Sequence, residues 1–163
     1  MAFGDFTLAH RNGSLTAVVF RPLRGSYSRE LNQVATISGR NQPGTPIITA
    51  RSGRAYYTWS VQGYVSLLQI QQASIIFTDQ DLTYQTGQDG HFLLTDECRF
   101  TEPYANPHPQ TLIGTPVSVG NFTYGYGRYK IKAQRSPTWG DFVGRINGQD
   151  AYLLDFTAEE LPN

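Results

Sequence analysis

The sequence predicts a mainly β fold: an antiparallel sandwich or barrel with a long projecting loop or hairpin arm and at most one short helix. Three observations point there. Ten Tyr and nine Phe stand against a single Met, and aromatic side chains suit a pleated, half-buried surface. Sixteen Gly and nine Pro supply the tight turns that β folds use. Asn12-Gly13, Asp89-Gly90 and Asn147-Gly148 separate apolar segments, as two-residue hairpin turns do. At 163 residues the chain has the length of one domain, 1–163, able to bury about two-thirds of its unfolded surface.

Taken in order, Phe6 and Leu8, then Leu15, Ala17 and Val19, alternate across Asn12-Gly13 and predict a first hairpin. Arg21 to Arg54 is rich in Gly and Pro and carries six Arg. A loop this long is usually functional or disordered, so 21–54 is expected to be an extended arm. Tyr57, Trp59 and Val61 share one strand face, with Tyr56, Thr58, Ser60 and Gln62 on the other. The apolar residues of 66–78 fit no single helical face at 100° per residue, so a short helix over Ser66–Gln72 followed by a strand is expected.

A strand at His91–Leu94 follows, then a proline-rich loop over Glu102–Pro116. Val117, Val119, Phe122, Tyr124, Tyr126, Tyr129, Ile131 and Ala133 alternate in succession. Phe142–Ile146 and Ala151–Phe156 flank Asn147-Gly148 as a third hairpin, and the acidic tail Thr157–Asn163 is expected to fray.

Charge is balanced overall but unevenly placed. Residues 1–60 carry seven Arg against Asp5 and Glu30, a net of +5; residues 61–110 carry six acids against Arg99 alone, a net of −5. Such a chain can dock head-to-tail on its own copies, the geometry that closes rings. Equally, the two segments can neutralise each other within one monomer. The interface expected from the first reading uses Arg24, Arg29, Arg40, Arg51 and Arg54 against Asp79, Asp81, Asp89, Asp96 and Glu97. Arg outnumbers Lys eleven to two, and Arg is the cation favoured at interfaces.

Familiar catalytic and ligand-binding patterns are each incomplete in this sequence. His10, His91 and His108 have no His or Cys at ligand spacing and read as lone surface residues. Asp79 and Asp81 begin like a calcium loop, but Tyr84 stands where Gly is needed and Gly90 where Glu is needed. Cys98 lacks a local helper and a disulfide partner, which suits a reducing compartment. Gly125-Tyr126-Gly127 lies within a tyrosine-rich strand rather than before a helix. The Tyr124–Lys132 run of aromatics and cations could stack bases, but the zero net charge gives no nucleic-acid footprint. No catalytic residue, metal or cofactor is expected, and neither is a membrane partner. A signal-peptide pattern is absent from Met1 to His10, and no apolar run approaches a bilayer's thickness.

The strand Tyr57-Thr58-Trp59-Ser60-Val61-Gln62-Gly63-Tyr64, the apolar Leu67–Phe77 segment and the run Gln88–Glu97 follow one another in an order that resembles small β-rich tail proteins of bacteriophages, of the distal-tail and baseplate-ring class. The closing Tyr152-Leu154-Phe156 and Thr157–Leu161 resemble the ends of such proteins. The resemblance covers about two-thirds of the chain and none of its elements is diagnostic. It implies a non-enzymatic virion protein, assembled in the host bacterial cytoplasm, that forms or joins a ring with its own copies and with other tail or baseplate proteins. Two other readings remain. One is a β-sandwich carbohydrate-binding module using Trp59, Trp139 and Tyr126; the other is a small hydrolase with an acid pair.

Overall fold

The computed structural model describes residues 4–32, 35–50, 56–88, 90–101, 111–133, 138–146 and 148–161. Among these, a nine-stranded antiparallel sheet follows the order β2-β1-β7-β9-β11-β6-β3, with β8 paired to β9 and β10 to β11. Its strands are β1 (Phe6–His10), β2 (Val18–Phe20), β3 (Ser28–Asn32), β6 (Tyr56–Ser66), β7 (Phe92–Asp96), β8 (Thr111–Val119), β9 (Phe122–Ala133), β10 (Thr138–Ile146) and β11 (Gln149–Glu160). β4 (Ala35–Arg40) and β5 (Pro46–Ala50) form a separate two-stranded sheet, and α1 spans Leu67–Gln85.

The sheet curls into a barrel because its alternating strands put one face inward. Phe6 and Leu8 of β1, Tyr57, Trp59, Val61 and Val65 of β6, Phe92 and Leu94 of β7, Tyr129 and Ile131 of β9, and Leu154, Phe156 and Ala158 of β11 are all at most 2% exposed. Phe6 and Phe156 lie three strands apart in the sheet, about 14 Å if it were flat, yet their ring centroids are 6.1 Å apart. The circle closes just after β2, where Pro22 bridges to Gly63 of β6 and the Leu23 amide donates to the Gln62 carbonyl. Gly63 leaves the room that the Phe20 ring occupies. α1 closes the barrel by burying Ala73, Ile76 and Phe77, the last in edge contact with Phe92 at 5.1 Å.

Several local expectations change. α1 runs for 19 residues in place of a helix ending at Gln72 and a following strand. The helix begins at a capping box: Ser66 accepts from the Gln69 amide while the Gln69 side chain accepts from the Ser66 amide. The first hairpin pairs Leu8 with Val18, so residues 11–17 form its loop and Leu15 and Ala17 fall outside the strand. Pro116, expected in a loop, sits within β8 at a register shift between Ile113 and Val117, the irregular position at which a strand accommodates proline. Thr157–Glu160 of the tail are held rather than frayed: β11 continues to Glu160, whose carboxylate accepts from the Tyr57 amide at 3.0 Å, while 162–163 lie outside the described residues.

The 21–54 segment is also smaller as an arm than expected. Pro22, Leu23 and β3 belong to the main body, and the separate hairpin is 35–50. Arg51, Arg54 and Asp89 lie outside the described residues, as do 102–110 of the proline-rich loop.

Candidate interaction surfaces

The charges singled out in the sequence divide into a buried set and an exposed set. Arg29 and Asp96 meet inside the barrel, 3.1 Å apart with both side chains fully buried. The same Asp96 oxygen accepts from the Tyr27 hydroxyl at 2.6 Å and the Trp59 indole at 3.1 Å, and the other oxygen accepts from the Cys98 amide at 2.9 Å. Arg29 also donates to the Arg99 and Phe100 carbonyls and lies over the Tyr57 ring. A buried carboxylate is tolerated when it is paired and its lone pairs are filled. These two residues therefore cannot line an interface, and for them the charges neutralise within the monomer.

His10 is likewise not a surface residue. It is 6% exposed, and its Nδ1 accepts from the Asn12 amide. That leaves the proton on Nε2, which donates to Asp79 at 2.9 Å. Arg11 joins the same Asp79 oxygen at 3.4 Å, so Asp79 ties the 11–17 loop to α1. Arg24, Arg40 and Asp81 are exposed, and Glu97 is half-buried. Arg24 lines an open cleft of about 690 Å³ with Val19, Arg21, Tyr64, Leu68 and Gln149.

The structure adds surfaces that charge alone did not indicate. On the β8–β9 hairpin Val117, Val119 and Phe122 are 48%, 61% and 47% exposed, and on β10 Phe142 and Val143 are also exposed. Residues 103–127 contain no Asp, Glu, Lys or Arg, a signal present in the sequence that no motif marks. On α1, Leu68, Ile75 and Leu82 are 49%, 53% and 56% exposed. Their spacing of seven keeps them within about 20° of one line per step. Apolar residues fail to fit one face of the 66–78 segment because α1 is apolar both toward the barrel and away from it.

The reactive groups are quiet. Burial, with Asp96 nearby, pushes the Cys98 thiol up to about 12, and the sulfur donates to the Gly4 carbonyl, so little thiolate forms at neutral pH. Trp59 is 2% exposed and offers no platform for a sugar; the Trp139 side chain lies outside what is described. Tyr126 packs against Phe100 at 4.7 Å, and Lys132 lies over the Tyr84 ring at 4.0 Å. Among the described residues, no three His, Cys, Asp or Glu are placed to hold a metal ion, and no helix is long and apolar enough to cross a membrane.

No family model matches the chain, and no curated protein matches it. A solved structure described as "Tail of empty GTA particle computed with helical refinement, C6 symmetry" contains a chain similar to this one. It is 14% identical over 98% of this chain and 92% of that chain, with a TM-score of 0.38.

Proposed function

We propose that the protein is a structural subunit of a phage-type tail or baseplate that forms or joins a ring by self-association and by contact with neighbouring tail proteins. The observation that carries this is the β8–β9 hairpin, whose exposed Val117, Val119 and Phe122 lie in a stretch free of charged residues. Loss of charge with retention of large apolar groups marks the core of an interface, whereas a solitary soluble domain keeps such patches small. The sequence resemblance to tail proteins supplies the class of assembly, and Arg24, Arg40 and Asp81 are exposed charges open to a partner elsewhere on the surface. Arg51, Arg54 and Asp89 remain in the proposed interface on sequence grounds.

Mass photometry and light scattering at high concentration, alone and with the products of neighbouring genes, provide the test. Concentration-dependent oligomers are expected, and Val119→Glu/Phe122→Glu should reduce them at least tenfold. A wild-type chain that stays monomeric in every mixture would end this reading.

A further inference from the structure

We propose that the outward face of α1, along Leu68, Ile75 and Leu82 with Asp81 beside its C-terminal end, is the seat for the β4–β5 hairpin of a second copy of this chain. This rests on the assembly reading above and assigns it a specific pair of surfaces.

Among the described residues β4 and β5 form a ladder separate from the main sheet, and one face of α1 is exposed. The hairpin pairs Ile37 with Ile48 and Arg40 with Pro46 in a sheet of its own. An isolated two-stranded hairpin is marginal in water and needs something to pack on. α1 already buries Ala73, Ile76 and Phe77 against the barrel, yet keeps Leu68, Ile75 and Leu82 about half exposed on another face. A helix apolar on two faces is normally covered on both.

The two surfaces match in length and charge. From Leu68 to Leu82 the helix rises about 21 Å, and the six residues of β4 extend about 20 Å. Residues 33–55 carry Arg40, Arg51 and Arg54 and no acid, whereas 67–85 carry Asp79 and Asp81 and no base. Asp79 is engaged by His10 and Arg11; Asp81 is exposed and accepts from the adjacent Gln80 side chain at 3.4 Å, so it is the more accessible acid for the arm, whose Arg40 is exposed and donates to the Gly44 carbonyl of its own turn. The other end of the stripe adjoins a cleft lined by exposed Arg24 and by Arg21, the latter paired with Asp5 at 3.3 Å. Like-charge repulsion there turns the hairpin tip, with Arg40, toward Asp81. Because donor and receiver are different surfaces, the contact is heterologous, and repeated copies close a ring or extend a filament.

The experiment compares wild type, Ile75→Glu/Leu82→Glu, Arg40→Glu, Asp81→Arg and the Arg40→Glu/Asp81→Arg exchange by mass photometry at 50 and 500 mM salt. Circular dichroism and thermal unfolding verify that each variant folds. The helix variant should self-associate at least tenfold more weakly. Each single charge reversal should weaken assembly several-fold at low salt, and the exchange should recover most of the loss. If wild type assembles and both the helix variant and the single reversals assemble equally well, this pairing is wrong while the assembly reading stands. If the helix variant does not fold, the charge exchange decides, since both positions are exposed: reversals without effect overturn the pairing. A wild type that never assembles removes the assembly reading itself, and this pairing with it.

Discussion

Asp96 holds together the most polar part of the interior. Four donors converge on its carboxylate: the Tyr27 hydroxyl, the Arg29 guanidinium, the Trp59 indole and the Cys98 amide. Asp96→Ala would leave a buried guanidinium without its counter-charge, and urea unfolding should show a loss of about 3–5 kcal/mol. Burial raises the Cys98 thiol from 9.0 to about 12, and it also raises the Tyr27 and Tyr129 phenols above the ordinary 10.0. In the unfolded chain these groups release their protons at lower pH than in the folded one. Their stabilisation is therefore complete below about pH 8.5 and is lost as pH climbs toward 12. Denaturant midpoints measured from pH 7 to 11 should fall only in the alkaline half. Cys98 should also resist alkylation at pH 8 until denaturant is added. Arg29 and Asp96 both stand out in the sequence as charges, but that they meet inside the barrel depends on β3 and the end of β7 facing each other across the interior. Spacing along the chain carries no trace of that.

At the scale of the elements, two local rules have measurable consequences. Gly127 in β9 lies under the ring of Tyr129, and an added Cβ would enter the space of the Tyr129 phenol. Tyr129 is itself fully buried between Tyr57 and Trp59, so the ring has nowhere to retreat. Gly127→Ala should cost about 1–3 kcal/mol by overpacking, whereas the same change at exposed Gly39, where nothing lies within 4 Å, should be much milder. Ser66→Ala removes the cap of α1 and should lower stability by about 1 kcal/mol, read as a shift in thermal midpoint. The strand faces of β6 and the β10–β11 hairpin, which pairs Ile146 with Gln149, are legible in the sequence because period-two alternation and Asn-Gly chemistry are local. The extent of α1 is not, since its second apolar face blurs the helical period; the Ser66-x-x-Gln69 cap is the cue that marks its start.

For the whole molecule, the barrel and the β4–β5 hairpin should differ in stability. Barrel amides are paired in a closed sheet over one apolar core, whereas the hairpin's ladder has two strands. Hydrogen exchange on dilute monomer should label 35–50 long before β6 or β11. Concentrating the protein until it assembles should slow exchange in the hairpin and leave the core unchanged. An unchanged hairpin in a proven assembly would count against its docking on a neighbour.

By itself the sequence determined the β class, the inward faces of the principal strands and the unequal distribution of charge, because alternation, turn residues and composition act over a few neighbouring positions. Tertiary structure decided which charges are spent inside the fold. Arg29 and Asp96 come from segments of opposite net charge and neutralise each other within one chain, while Arg40 and Asp81 stay exposed. It also decided that α1 has a second apolar face and that the β8–β9 hairpin carries its valines into solvent. Burial depends on what the rest of the chain covers, and residues far apart in sequence supply that cover.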